Sequence, residues 1–134
     1  MTAEKSARAQ WCLVGNIVKA RPGSTQRTFK GFAPGAKVYC LPAARGDGYE
    51  QMSAIGHHQQ ANRMTSMVVS GDRIENWRAS AVYSAEVLRL LDRTARESGR
   101  RLWASRQEVE AYIEAIRSHL AARAERSASP LGGT

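Results

Sequence analysis

Four cations and two phenylalanines crowd one short stretch near the start of the chain: Lys19, Arg21, Arg27, Phe29, Lys30 and Phe32, in the segment 19–35 that also holds the Pro-Gly pairs at 22–23 and 34–35. Cations interleaved with aromatic rings suit a phosphate backbone carrying an unstacked base. Arg45, beside the Gly-Asp-Gly turn at 46–48, and Arg73 with Arg78 around Trp77 extend the set. This is the chemistry of binding rather than of bond-making. The plainer reading is that Phe29 and Phe32 cap a core while the cations are merely solvated.

Residues able to do covalent chemistry are present but poorly arranged. His57 and His58 are adjacent, and neighbours on a strand point to opposite faces, so the pair does not share a metal easily. A polar turn accounts for them. Cys40 with a histidine would make a nucleophile and a base. It lies in a Val-Tyr-Cys-Leu run, however, and a buried thiol is inert. Ser24, Ser70 and Ser84 lack a nucleophile-elbow setting. The glycines make neither a Walker motif nor a dinucleotide fingerprint, so no cofactor is expected. Asp47/Glu50 and Asp72/Glu75 read as turn and cap residues. The expectation is a protein that is not an enzyme and has no catalytic or metal site.

The elements that must position these groups change character along the chain. Residues 11–18, WCLVGNIV, have strand composition, and 19–35 form a long loop. Residues 36–41 make a second strand closed by Pro42, and 49–56 a third. HHQQAN at 57–62 is a turn, 63–69 a fourth strand, 74–77 a single helical turn and 78–83 a fifth strand. From Ser84, a good N-cap, the period becomes 3.6, with Val87, Leu88, Leu91 and Ala95 on one face and Gly99 placed to end the helix. Ser105-Arg106-Gln107-Glu108 is a capping box, and Val109, Ile113, Ile116 and Leu120 follow as a buried stripe. These stripes can pack on each other, on the strands or on a second copy, so a homodimer through the helical half is one of three open arrangements.

The chain of 134 residues carries a net charge of +8, which favours phosphate-rich or acidic partners and says nothing about fold. The surplus is uneven: residues 1–34 hold six basic groups against one acid, 35–78 hold five against four, and 79–134 hold nine against seven. Arg89, Arg93, Arg96 and Arg100 form one helical stripe, but Glu86, Asp92 and Glu97 flank it, so an ion-paired solvated face explains it. No apolar run approaches the ~18 residues of a membrane span. The polar start MTAEKSARAQ lacks a signal-like apolar region, and the two cysteines read as reduced core thiols. The expected setting is therefore cytoplasmic.

The order strand, long loop, strand, turn, strand, turn, strand, helical turn, strand over residues 11–83 resembles an SH3-like small barrel. The resemblance is one of topology. A basic first loop departs from the acidic and aromatic loop of SH3 domains that hold Pro-rich peptides. VYCLP at 38–42, GDGY at 46–49 and NWR at 76–78 resemble segments of small bacterial proteins of unassigned function. The expected fold is α+β: a five-stranded SH3-like barrel or strongly bent antiparallel sheet over 11–83, then two C-terminal α-helices over 84–126. A flexible N-terminus (1–10) and a disordered tail (127–134) complete it. The expected function is a non-enzymatic binding module for nucleic acid or a nucleic-acid-bound complex. The alternative is an immunity-type, phage-defence-related inhibitor or adaptor that caps an acidic protein through anchors such as Trp77, Trp103, Tyr49 and Tyr83.

Overall fold

A computed structural model describes residues 10–18, 31–44 and 49–132, with side chains as far as Ala122. The strands are β1 (Gln10–Ile17), β2 (Lys37–Pro42), β3 (Gln51–His58), β4 (Arg63–Ser70) and β5 (Ile74–Val82). Two helices follow, α1 (Ala85–Ser98) and α2 (Arg106–Gly132). All pairings are antiparallel, in the order β4-β3-β2-β1-β5. No ladder joins β4 to β5, so the sheet is open and the closed barrel is not formed among the described residues.

The continuous apolar run of β1 has a structural reason. Leu13, Cys40, Ala54 and Met67 are cross-strand partners on one face, and Val14, Tyr39, Ile55 and Ser66 on the other. Leu13, Cys40 and Ala54 are fully buried, and so are Val14 and Ile55. Both faces of the central strands are therefore covered, which removes the polar alternation of a half-exposed sheet. Phe32 lies over the first of these faces. A Cβ on Gly56 would sit 2.9 Å from Val38 Cγ1 and 3.2 Å from Phe32 Cε1, so glycine makes the space that the phenyl ring fills.

The segment Ile74–Trp77 is strand, not the helical turn expected from sequence. The turn falls one step earlier, as a 3-10 turn at Gly71–Arg73. The cause is a bulge in the β1–β5 ladder between Val14 and Asn16, opposite Asn76, whose φ of 60° is left-handed. One residue out of phase hides the period of two. Asn tolerates that backbone better than most residues. Asn16 ties the irregularity together: its Oδ1 accepts from Arg78 Nη1 at 2.8 Å and from Asn76 Nδ2 at 3.2 Å, and its Nδ2 donates to Gly35 O at 3.0 Å.

The helix signals act as their residue types require. The Val87 N–H donates to Ser84 Oγ at the start of α1, and Gly99 ends it at φ 67°, where the Arg100 N–H donates to Ala95 O. At α2 the Glu108 N–H donates to Ser105 Oγ at 3.2 Å, while Glu108 Oε1 reaches back to the Ala104 N–H rather than to Ser105. The backbone of α2 stays helical through Gly132, past residue 126 where the tail was expected.

Both apolar stripes are spent inside the chain. α1 lies on β2, β3 and β4, and α2 on β1 and β5. Val87, Leu91, Ala95, Val109, Ile113 and Ile116 belong to the same core cluster as the strand residues. Polar ties fix the helix ends: Arg100 donates twice to Ala43 O, at 3.2 and 2.9 Å, and Gln10 Nε2 donates to Trp103 O at 2.7 Å. Trp103, Tyr112, Tyr49 and His119 form a row of ring contacts, with centroids 4.8, 5.3 and 5.2 Å apart, the first pair tilted and the other two stacked.

Gly56→Val should lower stability by about 1–3 kcal/mol, because it overfills a packed site. Val68→Thr, at a side chain 58% exposed, should change it by less than about 0.5 kcal/mol. Urea denaturation followed by tryptophan fluorescence measures both, and equal midpoints for the two variants would contradict the packing of Phe32 over Gly56.

Candidate functional site

The described residues divide the expected binding set. Lys19, Arg21, Arg27, Phe29, Lys30 and Arg45 lie outside them. Phe32 lies within and is fully buried, which places it in the core and removes it as a stacking platform. Arg73 closes the 3-10 turn before β5, and its carbonyl accepts from the Val18 N–H at 2.8 Å. Trp77 is 8% exposed, and Arg78 is held on Asn16 Oδ1 and on Asn76 O. Trp77 and Arg78 are thus brought together, whereas Phe32 belongs to the core over Gly56.

The groups with covalent or metal-binding potential are engaged structurally. His58 Nδ1 accepts from the Gln60 and Ala61 N–H groups at 3.2 and 3.1 Å, capping the β3–β4 turn. His57 pairs across from Met64 and His58 from Arg63, one on each face of the sheet. Among the described residues, no three His, Cys, Asp or Glu side chains gather into a set able to hold a metal ion. Cys12 and Cys40 are both free thiols and both buried. Burial pushes the Cys12 thiol up to about 12 and moves the Cys40 thiol further in the same direction. Thiols so raised are poor nucleophiles at neutral pH.

The helical arginines are mostly satisfied by acids. Arg96 Nη2 lies 2.9 Å from Asp92 Oδ2 and Arg93 Nε 3.6 Å from Glu97 Oε2, while Arg100 turns inward to Ala43 O. Of the stripe 89, 93, 96 and 100, only Arg89 has no partner among the described residues. No helix of the described residues is long and apolar enough to cross a membrane.

A cleft of about 340 Å³ opens between β5 and α2. Trp77, Arg78 and Ala79 form the strand side, and Arg106, Glu110, Ile113, Glu114 and Arg117 the helix side. Its charges are arranged in pairs: Arg106 Nε is 3.1 Å from Glu110 Oε2, and Arg117 Nη1 is 3.0 Å from Glu114 Oε1. Arg117 Nη2 also reaches Trp77 O at 3.5 Å, and the Arg106 guanidinium sits 5.4 Å above the Trp11 ring. Three guanidinium groups face two carboxylates, a local surplus of one positive charge. From sequence, Arg106 reads as part of a capping box and Ile113 as part of the buried stripe; as a binding face the helix side is marked only by Arg106, Glu110, Ile113 and Arg117 at i, i+4, i+7 and i+11, the spacing of one helical face.

Compared with models of protein families, with curated proteins and with solved structures, the chain has no match.

Burial of the two thiols predicts that Ellman's reagent labels essentially none of the native protein at pH 8 and both cysteines in denaturant. Because both thiols are raised in the folded state, their contribution to stability is full below the ordinary thiol range near about 8.5 and is lost progressively above it. Rapid native labelling at pH 8 would overturn the burial.

Proposed function

We propose that the protein is a non-enzymatic binding module for nucleic acid or a nucleic-acid-bound complex, with the basic segment 19–30 as its main contact. The observation that carries this reading is the partition of charge. The surplus of +5 sits in residues 1–34, while the arginines of α1 and α2 are largely paired with acids on their own helices. A paired cation must first release its intramolecular acid to take a phosphate, so the cations in excess over acids at the front of the chain are the better phosphate ligands. Arg73, at the end of the 3-10 turn, and Arg78, in the middle of β5, add positive charge on the strand beside β1; the aromatic support falls to Phe29, since Phe32 is buried. The strand order, with its long first connection, supports regarding the sheet as an opened relative of the SH3-like barrel, in which loops at one rim form the binding surface.

The second reading, an inhibitor or adaptor that takes an acidic protein, draws support from the β5–α2 cleft rather than from the expected anchors. Trp103 is buried, and Tyr49 stacks on Tyr112 inside the chain. Tyr83, 65% exposed, is the anchor left at the surface.

The test of the first reading is anisotropy with short labelled RNA and DNA across a salt series. The quadruple variant Lys19→Ala/Arg21→Ala/Arg27→Ala/Lys30→Ala should lose most of the affinity. Its slope of log affinity against log salt on duplex DNA should flatten by up to about 3.6, at about 0.9 per lost phosphate contact. Arg89→Ala/Arg93→Ala/Arg96→Ala should bind nearly as the parent does. Negligible binding by the parent at ~50 mM salt, or equal losses in the two variants, would rule the proposal out.

A further inference from the structure

Among the described residues, β5 is an edge strand whose outer side borders the β5–α2 cleft. The Ile17 N–H donates to Ala36 O and Ile17 O accepts from the Gly35 N–H, so the odd residues of β1 turn their backbone toward β2. The even ones turn toward β5, as the Val18 N–H bonded to Arg73 O shows. In the β1–β5 register, Arg78, Ser80 and Val82 lie opposite Val14, Cys12 and Gln10, so these are the residues that face β1. Trp77, Ala79 and Ala81 therefore direct their N–H and C=O groups away from the sheet. Trp77 O confirms the phase by accepting from Arg117 across the cleft. By the same phase the N–H groups of Trp77 and Ala79 and the Ala79 carbonyl are directed to the side of β5 away from β1.

A sheet edge facing a helix across a groove is the geometry of strand addition, in which an extended peptide takes the edge hydrogen bonds and its alternate side chains meet the helix. The volume, about 340 Å³, lies at the small end of the ~300–1,000 Å³ range of ligand sites. The charges select the occupant. Arg106 and Arg117 stand at the two ends of the helix side, eleven residues and so about 16 Å apart along the axis. An extended chain covers that distance in about five residues. We propose that this cleft binds an extended acidic peptide segment of a partner protein as a sixth strand on β5. Its backbone pairs with Trp77 and Ala79, and carboxylates four positions apart on one face of the strand, about 13 Å, meet the long Arg106 and Arg117 side chains, whose reach covers the remaining few ångströms. The incoming carboxylates displace Glu110 and Glu114, which hold the guanidinium groups in exposed pairs of little strength. Arg117 must also release Trp77 O, a contact at the 3.5 Å limit of a hydrogen bond, so the seat opens at small cost. The residues named for this site do not include segment 19–30, and the proposal does not depend on nucleic-acid binding.

The experiment titrates the full chain with a labelled, acetylated and amidated hexapeptide of alternating glutamate and valine. Three controls accompany it: the same peptide with lysine for glutamate, one N-methylated at alternate residues, and a 12-mer RNA. The glutamate peptide should bind, and either peptide change should weaken binding about tenfold or more, since each removes charge-assisted or backbone hydrogen bonds. Arg106→Ala/Arg117→Ala should weaken the peptide by a similar factor and leave the RNA unaffected. Ala79→Pro removes only an outward N–H, a change that edge strands tolerate, and should also weaken the peptide. Equal binding of the N-methylated peptide would overturn strand addition without reference to how Ala79→Pro folds. No binding of the glutamate peptide would overturn the proposal. So would a chain that sediments as a dimer and excludes it, or an Arg106→Ala/Arg117→Ala loss seen with RNA alone.

Discussion

The pairing of β5 with β1 across a one-residue bulge sets what the rest of the molecule can do. Without the bulge the two strands would stay in phase, and the residues beyond it would exchange faces. With it, Ile74 and Trp77 both reach the core, although three positions separate them. Gly15 admits this, since a Cβ there would collide with Ile74 and crowd Trp77. Asn16 then uses its whole amide on the irregular backbone, accepting from Arg78 and Asn76 and donating to Gly35. Three segments far apart in sequence are fixed by one side chain, and the phase of β5 that results decides which of its peptide groups face α2.

Much of the fold was legible because local chemistry and tertiary need agreed. Ser84 and Gly99 bound α1 as a cap and a left-handed terminator should, and the stripes of α1 and α2 are buried as their spacing requires. What was not legible follows from interactions distant in sequence. The composition of Ile74–Trp77 suits a turn of helix, yet its backbone hydrogen bonds go to β1, where the apolar residues find their core. Closure into a barrel was not readable either, because it depends on whether β4 and β5 meet, and no pattern within a strand specifies its neighbour.

The candidate site divided along similar lines. Phe32 and Trp77 stood beside cations, and adjacency in sequence suggested aromatic platforms. A ring near a cation is also what a small sheet uses to seal a core, and Phe32 fills the space above Gly56. Arg106 and Arg117 each lie at helical spacing from a glutamate, Glu110 and Glu114, which is the mark of a solvated face. That description is correct and incomplete. The same exposed pairing that makes a weak contribution to stability leaves the guanidinium groups exchangeable, and the strand edge opposite them gives the exchange a direction.

An open sheet has two edges, and an unprotected edge invites pairing with any extended chain. α2 stands beside β5 across a groove with guanidinium groups on its helix wall, with Arg117 on one of the edge carbonyls. Charge then acts as a filter on backbone pairing, which by itself has no sequence preference. The groove carries a surplus of one positive charge over its two carboxylates, so a basic segment adds to the surplus and an acidic one offsets it. Such an arrangement protects the edge from non-specific association while keeping its hydrogen bonds unspent. Full coverage would have required α2 to close onto β5 and bury those peptide groups without partners, at a cost that grows with each one. The gap between β5 and α2 is the arrangement that avoids that cost, and the same gap makes the edge accessible to a ligand.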